Sequence, residues 1–143
     1  SIGKLIHDYK LAAGIKELAG NGLPILGTCA GMILLAGKAS GSRYAPLKLM
    51  DITVVRNAFG RQKESFEVDL VMPALGEKPF PGVFIRAPLI ESINGNVEVL
   101  ASLADGTIVA VRQAKLLAAA FHPELTDDLR FHKYFVDIVS GSR

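Results

Sequence analysis

Near the start of the chain, apolar residues recur at helical spacings: Ile2, Leu5, Ile6 and Tyr9, then Ala12, Ile15 and Leu18 or Ala19. Such a period lines them along one face and predicts one helix interrupted near Gly14 or two short ones. Asn21-Gly22 then turns the chain into the run Leu23-Pro24-Ile25-Leu26. Its unbroken apolar character predicts a central parallel strand covered on both faces. Helical patterning returns at Met32-Ile33-Leu34-Leu35-Ala36, and residues 37–46, rich in Gly, Ser, Ala and Lys, read as a loop. Strands are expected near 52–56, 66–72 and 83–86, followed by a hairpin of 97–103 and 107–112 around Asp105-Gly106. A further buried strand follows at 116–121. Thr126 then offers an N-cap with Asp127 and Asp128 behind it, and Leu129, Phe131, Phe135, Ile138 and Val139 form an apolar stripe up to Gly141. No repeat or linker interrupts this order, so one domain over residues 1–143 is expected.

Composition narrows the classes of function. At 143 residues and 50% hydrophobic, the chain can bury a core without staples. Sixteen Lys and Arg against fourteen Asp and Glu leave +2 with no basic run, which does not suggest nucleic acid or an anionic membrane as partner. One cysteine cannot form an internal disulfide, and no apolar stretch approaches the roughly 18 to 20 residues that span a bilayer. No secretory signal is recognisable, so a cytoplasmic location is expected. No metal-ligand spacing is present and no cofactor is expected; His7 and His132 lie in helical patterns and read as surface or packing residues.

Two constellations carry chemistry. Cys29 sits in Gly27-Thr28-Cys29-Ala30-Gly31, where strand pattern gives way to helix pattern. A thiol on such a turn is presented outward, with the positive end of a helix behind it to favour thiolate. The second is Phe121-His122-Pro123-Glu124, directly after the late buried strand. In an extended segment, residues two apart face the same side, so Glu124 could hold one ring nitrogen of His122 while the other takes the thiol proton. Each half also has a plain structural reading, an inert thiol in a tight turn and a solvated strand exit. Together they form a Cys-His-Glu triad if both strands end at one carboxyl edge of a sheet.

These two segments resemble the signatures of triad-type glutamine amidotransferases. The match narrows with Arg56-Asn57-Ala58-Phe59-Gly60-Arg61-Gln62, Ser65-Phe66-Glu67, Phe84-Ile85-Arg86-Ala87-Pro88 and Glu124-Leu125-Thr126-Asp127. Over essentially its whole length the chain is similar to the glutaminase subunits of pyridoxal 5′-phosphate synthase. The resemblance implies an α/β fold with an open, mostly parallel, flavodoxin-like sheet flanked by helices and a nucleophile elbow at Cys29. It implies hydrolysis of L-glutamine to glutamate and ammonia through a γ-glutamyl thioester, with Cys29, His122 and Glu124 catalytic. The backbone N–H of Ala30 would serve the oxyanion, and Arg56, Ile85 and Arg86 would bind substrate, the arginines suiting its α-carboxylate. Arg61 and Glu67 would shape loops or a subunit contact. The expected partner is a synthase subunit that takes up the ammonia.

Family members also carry opening strands and a Gly-Gly-Glu-Ser segment that supplies a second oxyanion donor. Ser1 resembles a position just after that segment, so those parts are expected to lie outside this sequence, and a polypeptide beginning at Ser1 to be a poor glutaminase. Two other readings stay open: a noncatalytic subunit that binds and regulates the synthase, and another Cys-nucleophile α/β hydrolase such as a γ-glutamyl hydrolase.

Overall fold

A computed structural model of the chain describes residues 2–56 and 65–143. The segment Asn57-Ala58-Phe59-Gly60-Arg61-Gln62, and Arg61 with it, lies outside the described residues. The opening helical pattern forms α1 (Ile2–Asp8) and α2 (Ala12–Gly20). Gly14, the expected interruption, lies inside α2; the break falls at Lys10, which takes φ +53°. There the Lys10 N–H donates to the His7 carbonyl at 3.2 Å and the Leu11 N–H to the Ile6 carbonyl at 3.0 Å. This is the Schellman arrangement that ends a helix, with lysine where glycine is usual.

Strand β1 (Ile25–Thr28) leads through Cys29 into α3 (Ala30–Leu35), which passes without a loop into β2 (Ala36–Ser40). Ala36 was expected to continue the helix and residues 37–40 to be loop, being small and polar, yet all five form β2. Their role is explained by Gly37: a Cβ there would lie 3.1 Å from the Met50 carbonyl oxygen, so the bare backbone admits close parallel pairing with β3 (Met50–Val55).

The remaining strands are β4 (Ser65–Leu70), β5 (Phe80–Ile85), β6 (Leu89–Ile93), β7 (Glu98–Ser102), β8 (Ile108–Gln113) and β9 (Leu116–Ala119). The larger sheet runs β1-β9-β8-β6-β3-β2, with β7 also beside β8, while β4 and β5 form a separate antiparallel pair. The α/β class stands, but the sheet is mixed rather than mostly parallel. Among the described residues only β1 with β9 and β2 with β3 pair parallel. Short turns join only antiparallel neighbours. One is the turn at 103–107, where Gly106 takes φ +91° and the Asp105 carboxylate accepts the Thr107 N–H at 2.9 Å. The other is Ala114-Lys115 between β8 and β9. Among the described residues β1 lies at the sheet edge and is half-buried, not central, although its parallel direction is as expected.

Four fully buried rings gather at one side of the sheet. Phe121 lies 5.6 Å from Phe80, 5.8 Å from Phe84 and 5.2 Å from Phe131, centroid to centroid. They join the end of β9 to β5 and to α4 (Arg130–Ser140), which buries Phe131, Tyr134 and Ile138. Helix α4 starts later than its expected Thr126 cap. Thr126 instead faces back to the Pro123–Leu125 3₁₀ turn, and the Asp128 carboxylate accepts the Arg130 N–H at 3.1 Å. Among the described residues no helix is long and apolar enough to cross a membrane.

Gly27 and Gly31 differ in what they permit. A Cβ on Gly27 would stand 2.6 Å from the Gly31 carbonyl oxygen, a backbone atom, and 2.7 Å from Leu35 Cδ1, whereas at Gly31 nothing lies within 4 Å. Gly27→Ala is therefore expected to destabilise the fold by about 1–3 kcal/mol through overpacking. Gly31→Ala, inside a helix, should be neutral or stabilising by about 0.5–1 kcal/mol. Thermal or urea unfolding of the two variants checks the contrast.

Candidate active site

The β1–β9 register sets the geometry. Thr28 pairs with Ala119, and the Cys29 N–H continues the ladder to the Ala119 carbonyl at 2.9 Å. Cys29 itself takes φ +52°, ψ −108°, a strained conformation for a side-chain-bearing residue, with the first turn of α3 immediately after it. The turn sends the thiol back across β9. Sγ lies 3.2 Å from the Ala120 carbonyl, to which it donates, and 3.1 Å from His122 Nε2.

His122 is extended, with φ −102° and ψ 92°, and its N–H donates to the Val83 carbonyl of β5 at 2.8 Å. Glu124 reaches it differently from the expected extended pairing: Pro123–Leu125 coils into a 3₁₀ turn, which carries Glu124 Oε2 to 2.9 Å from His122 Nδ1. Proline suits the first position of such a turn. An ionised carboxylate can only accept, so Nδ1 carries the proton, leaving Nε2 with a lone pair toward the thiol.

Electrostatics set the resting state. Burial, and after it the charge of Glu124, push the Cys29 thiol up to about 12. The expected thiolate stabilisation by the helix is outweighed; α3 has only six residues. Burial would also raise Glu124, but its own backbone N–H and the His122 ring prevail and hold the carboxyl below its usual range, with a further contribution from the charge of His132. His132 was assigned to packing or surface, and nothing in its spacing shows that α4 brings it within electrostatic reach of Glu124. The Ala120 carbonyl and Val83 were likewise missed, since both act through backbone atoms that carry no sequence signature.

Ala30 is the first residue of α3, where a helix leaves N–H groups without intrahelical acceptors. Ile85 ends β5, 42% exposed, and Arg86 follows with φ +45°; both lie just beyond Val83, which bonds the His122 backbone. Arg56 follows β3 and is exposed. The structure thus joins Cys29, His122 and Glu124 and brings Ile85 and Arg86 near them through Val83, whose carbonyl binds the His122 N–H. Glu67 is exposed on β4, opposite Val83.

The SNO glutamine amidotransferase family matches residues 1–140. The chain belongs to the SNO glutamine amidotransferase family. This amidotransferase is 58% identical over 137 residues to the pyridoxal 5′-phosphate synthase subunit PdxT of Pelotomaculum thermopropionicum, covering 96% of this chain and 69% of that protein. It is 58% identical over 140 residues to the same-named subunit of Dehalococcoides mccartyi, covering 96% and 72% respectively. A crystal structure of a glutamine amidotransferase superposes with a TM-score of 0.89 at 46% identity, covering 98% of this chain and 74% of the other.

A thiol held protonated near neutral pH makes a specific kinetic demand. Without substrate, iodoacetamide alkylation of Cys29 should keep rising by about tenfold per pH unit from pH 7 to 10, because thiolate is the reacting form. A plateau near pH 7, read by mass spectrometry of the Cys29 peptide, would indicate a preformed thiolate and contradict the neutral resting site.

Proposed function

We propose that residues 1–143 belong to one glutaminase domain, and that the full-length protein hydrolyses L-glutamine to L-glutamate and ammonia and hands the ammonia to a pyridoxal 5′-phosphate synthase subunit, in the cytoplasm. The observation that carries the reading is the continuous chain of contacts from Cys29 Sγ to His122 Nε2 at 3.1 Å and from His122 Nδ1 to Glu124 at 2.9 Å, in a glutamine amidotransferase. Synthase subunits named PdxT among its relatives supply the biosynthetic context. A lone free cysteine used as nucleophile suits a reducing compartment.

The chemistry follows from a protonated thiol beside the imidazole. As Sγ attacks the side-chain amide carbon of glutamine, His122 Nε2 takes the thiol proton, and Glu124 stabilises the imidazolium that forms. The oxyanion is met by the Ala30 N–H. Collapse breaks the C–N bond, His122 returns the proton to the leaving nitrogen, and ammonia departs from a γ-glutamyl thioester. Water, deprotonated by the same imidazole, then releases glutamate and the thiol. Arg56, Ile85 and Arg86 are assigned to the glutamine site, with a guanidinium on the α-carboxylate. Ammonia freed near neutral pH becomes ammonium and loses its nucleophilicity, which favours transfer inside a complex.

Full-length protein assembled with a synthase subunit should lose glutamine hydrolysis in Cys29→Ala. His122→Asn should lower turnover by about 10²- to 10⁴-fold, the usual range for a general base. A glutamine-analogue affinity label should add mass at Cys29 alone, and more rapidly with the partner present. Retained hydrolysis in Cys29→Ala would sink the assignment.

A further inference from the structure

The turn that carries Glu124 is anchored at both ends to the same arm of the molecule. At one end the His122 N–H bonds the Val83 carbonyl of β5 at 2.8 Å. At the other, the Thr126 hydroxyl donates to the Pro123 carbonyl at 3.4 Å and accepts the Asp128 N–H at 3.3 Å. Asp128 in turn receives Arg130 through Nε at 3.0 Å and Nη2 at 2.7 Å. The same guanidinium continues to the Leu75 carbonyl at 3.2 Å, Lys78 at 2.8 Å and Pro79 at 3.0 Å, directly ahead of β5, and lies 6.0 Å from the Phe80 ring centroid. The path from His122 through Thr126, Asp128 and Arg130 to Pro79, then along β5 to Val83, closes on itself.

We propose that Arg130, through Asp128, is a positioning residue for the catalytic His122–Glu124 pair: it fixes the downstream end of the 3₁₀ turn against β5, so that Glu124 stays on His122 Nδ1. Resting on the glutaminase reading, this goes beyond it, because Arg130 touches neither thiol nor imidazole. Glu124 needs such support. Its side chain is 53% exposed, against 25% for His122, so packing does little to hold it. A planar guanidinium with five donors can bond one carboxylate and three carbonyls at once; lysine cannot. The ion pair is the stronger for its geometry: Arg130 lowers Asp128 below the usual carboxylate range, chiefly through the side-chain hydrogen bond.

Full-length protein with its synthase partner is compared with Arg130→Lys, Arg130→Ala and Asp128→Asn, each also combined with Glu124→Gln. Loss of the clamp should lower kcat for glutamine by about 10- to 100-fold, the scale of a small misplacement. KM should stay within about twofold, since no ground-state contact to substrate is removed. Arg130→Lys should recover little of the loss, and in the Glu124→Gln background removing Arg130 should cost nothing more. A second readout is independent of turnover: the downfield proton resonance of His122 Nδ1–H should broaden or vanish in Arg130→Ala and Asp128→Asn, recorded below the melting temperature of each. An unchanged resonance in the folded variants, a loss additive with Glu124→Gln, or a rise in KM that accounts for the whole effect would overturn the proposal. If the wild-type complex does not hydrolyse glutamine, the glutaminase reading fails while the resonance still decides the role of Arg130.

Discussion

Everything reactive in this molecule hangs on the parallel register of β1 against β9. Thr28 beside Ala119 places Cys29 beside Ala120, and the next turn of chain brings His122 within reach of sulfur. Side chains alternate between the two faces of a strand, so a slip of one residue would send the imidazole away from the thiol. The register is held from outside the ladder as well. Gly27 lets α3 sit on β1 at a separation that no other residue allows, and Phe121, locked among three rings, fixes the backbone from which His122 departs.

The site is organised by a rigid interior and a softer exterior. The Cys29 and His122 backbones are tied into ladders by Ala119 and Val83, while the carboxylate that orients the imidazole projects from a single exposed turn. This division follows from burial energetics. A carboxylate enclosed with the aromatic cluster would be costly to keep ionised, and at the rim it needs only hydrogen bonds to stay in place. Nearby Asp128 and Arg130 show how the rim obtains those bonds without packing.

Much of the site was legible because its geometry is local. A glycine-flanked cysteine at a strand-to-helix switch and a His-Pro-Glu after a buried strand mark the site in sequence, and the structure joins them across 93 residues, though Glu124 arrives on a 3₁₀ turn rather than an extended segment. What stayed hidden depends on partners distant in sequence. Strand β2 has too few large apolar residues to announce itself, and it forms because Gly37 can approach Met50. The mixed sheet arises partly from the turn Ala114-Lys115, which carries no glycine or asparagine to mark it, and partly from β6 pairing antiparallel with β3 and β8 without a short turn between them. The start of α4 moved because Thr126 was engaged by Pro123 rather than by the helix. Arg56, Ile85 and Arg86 carry no pattern of their own, and only the resemblance singled them out. Lys10 stands in a left-handed position that most sequences give to glycine, so the helix break was expected at the nearest glycine instead.

The protonated thiol has one more consequence. Cys29 is the chain's sole sulfhydryl and is accessible enough to meet substrate, a combination that ordinarily invites damage by peroxide. Oxidation to sulfenic acid and beyond proceeds from thiolate, and the half-buried neutral form offers little of it. A neutral thiol is thereby less open to oxidation than a thiolate at the same place would be.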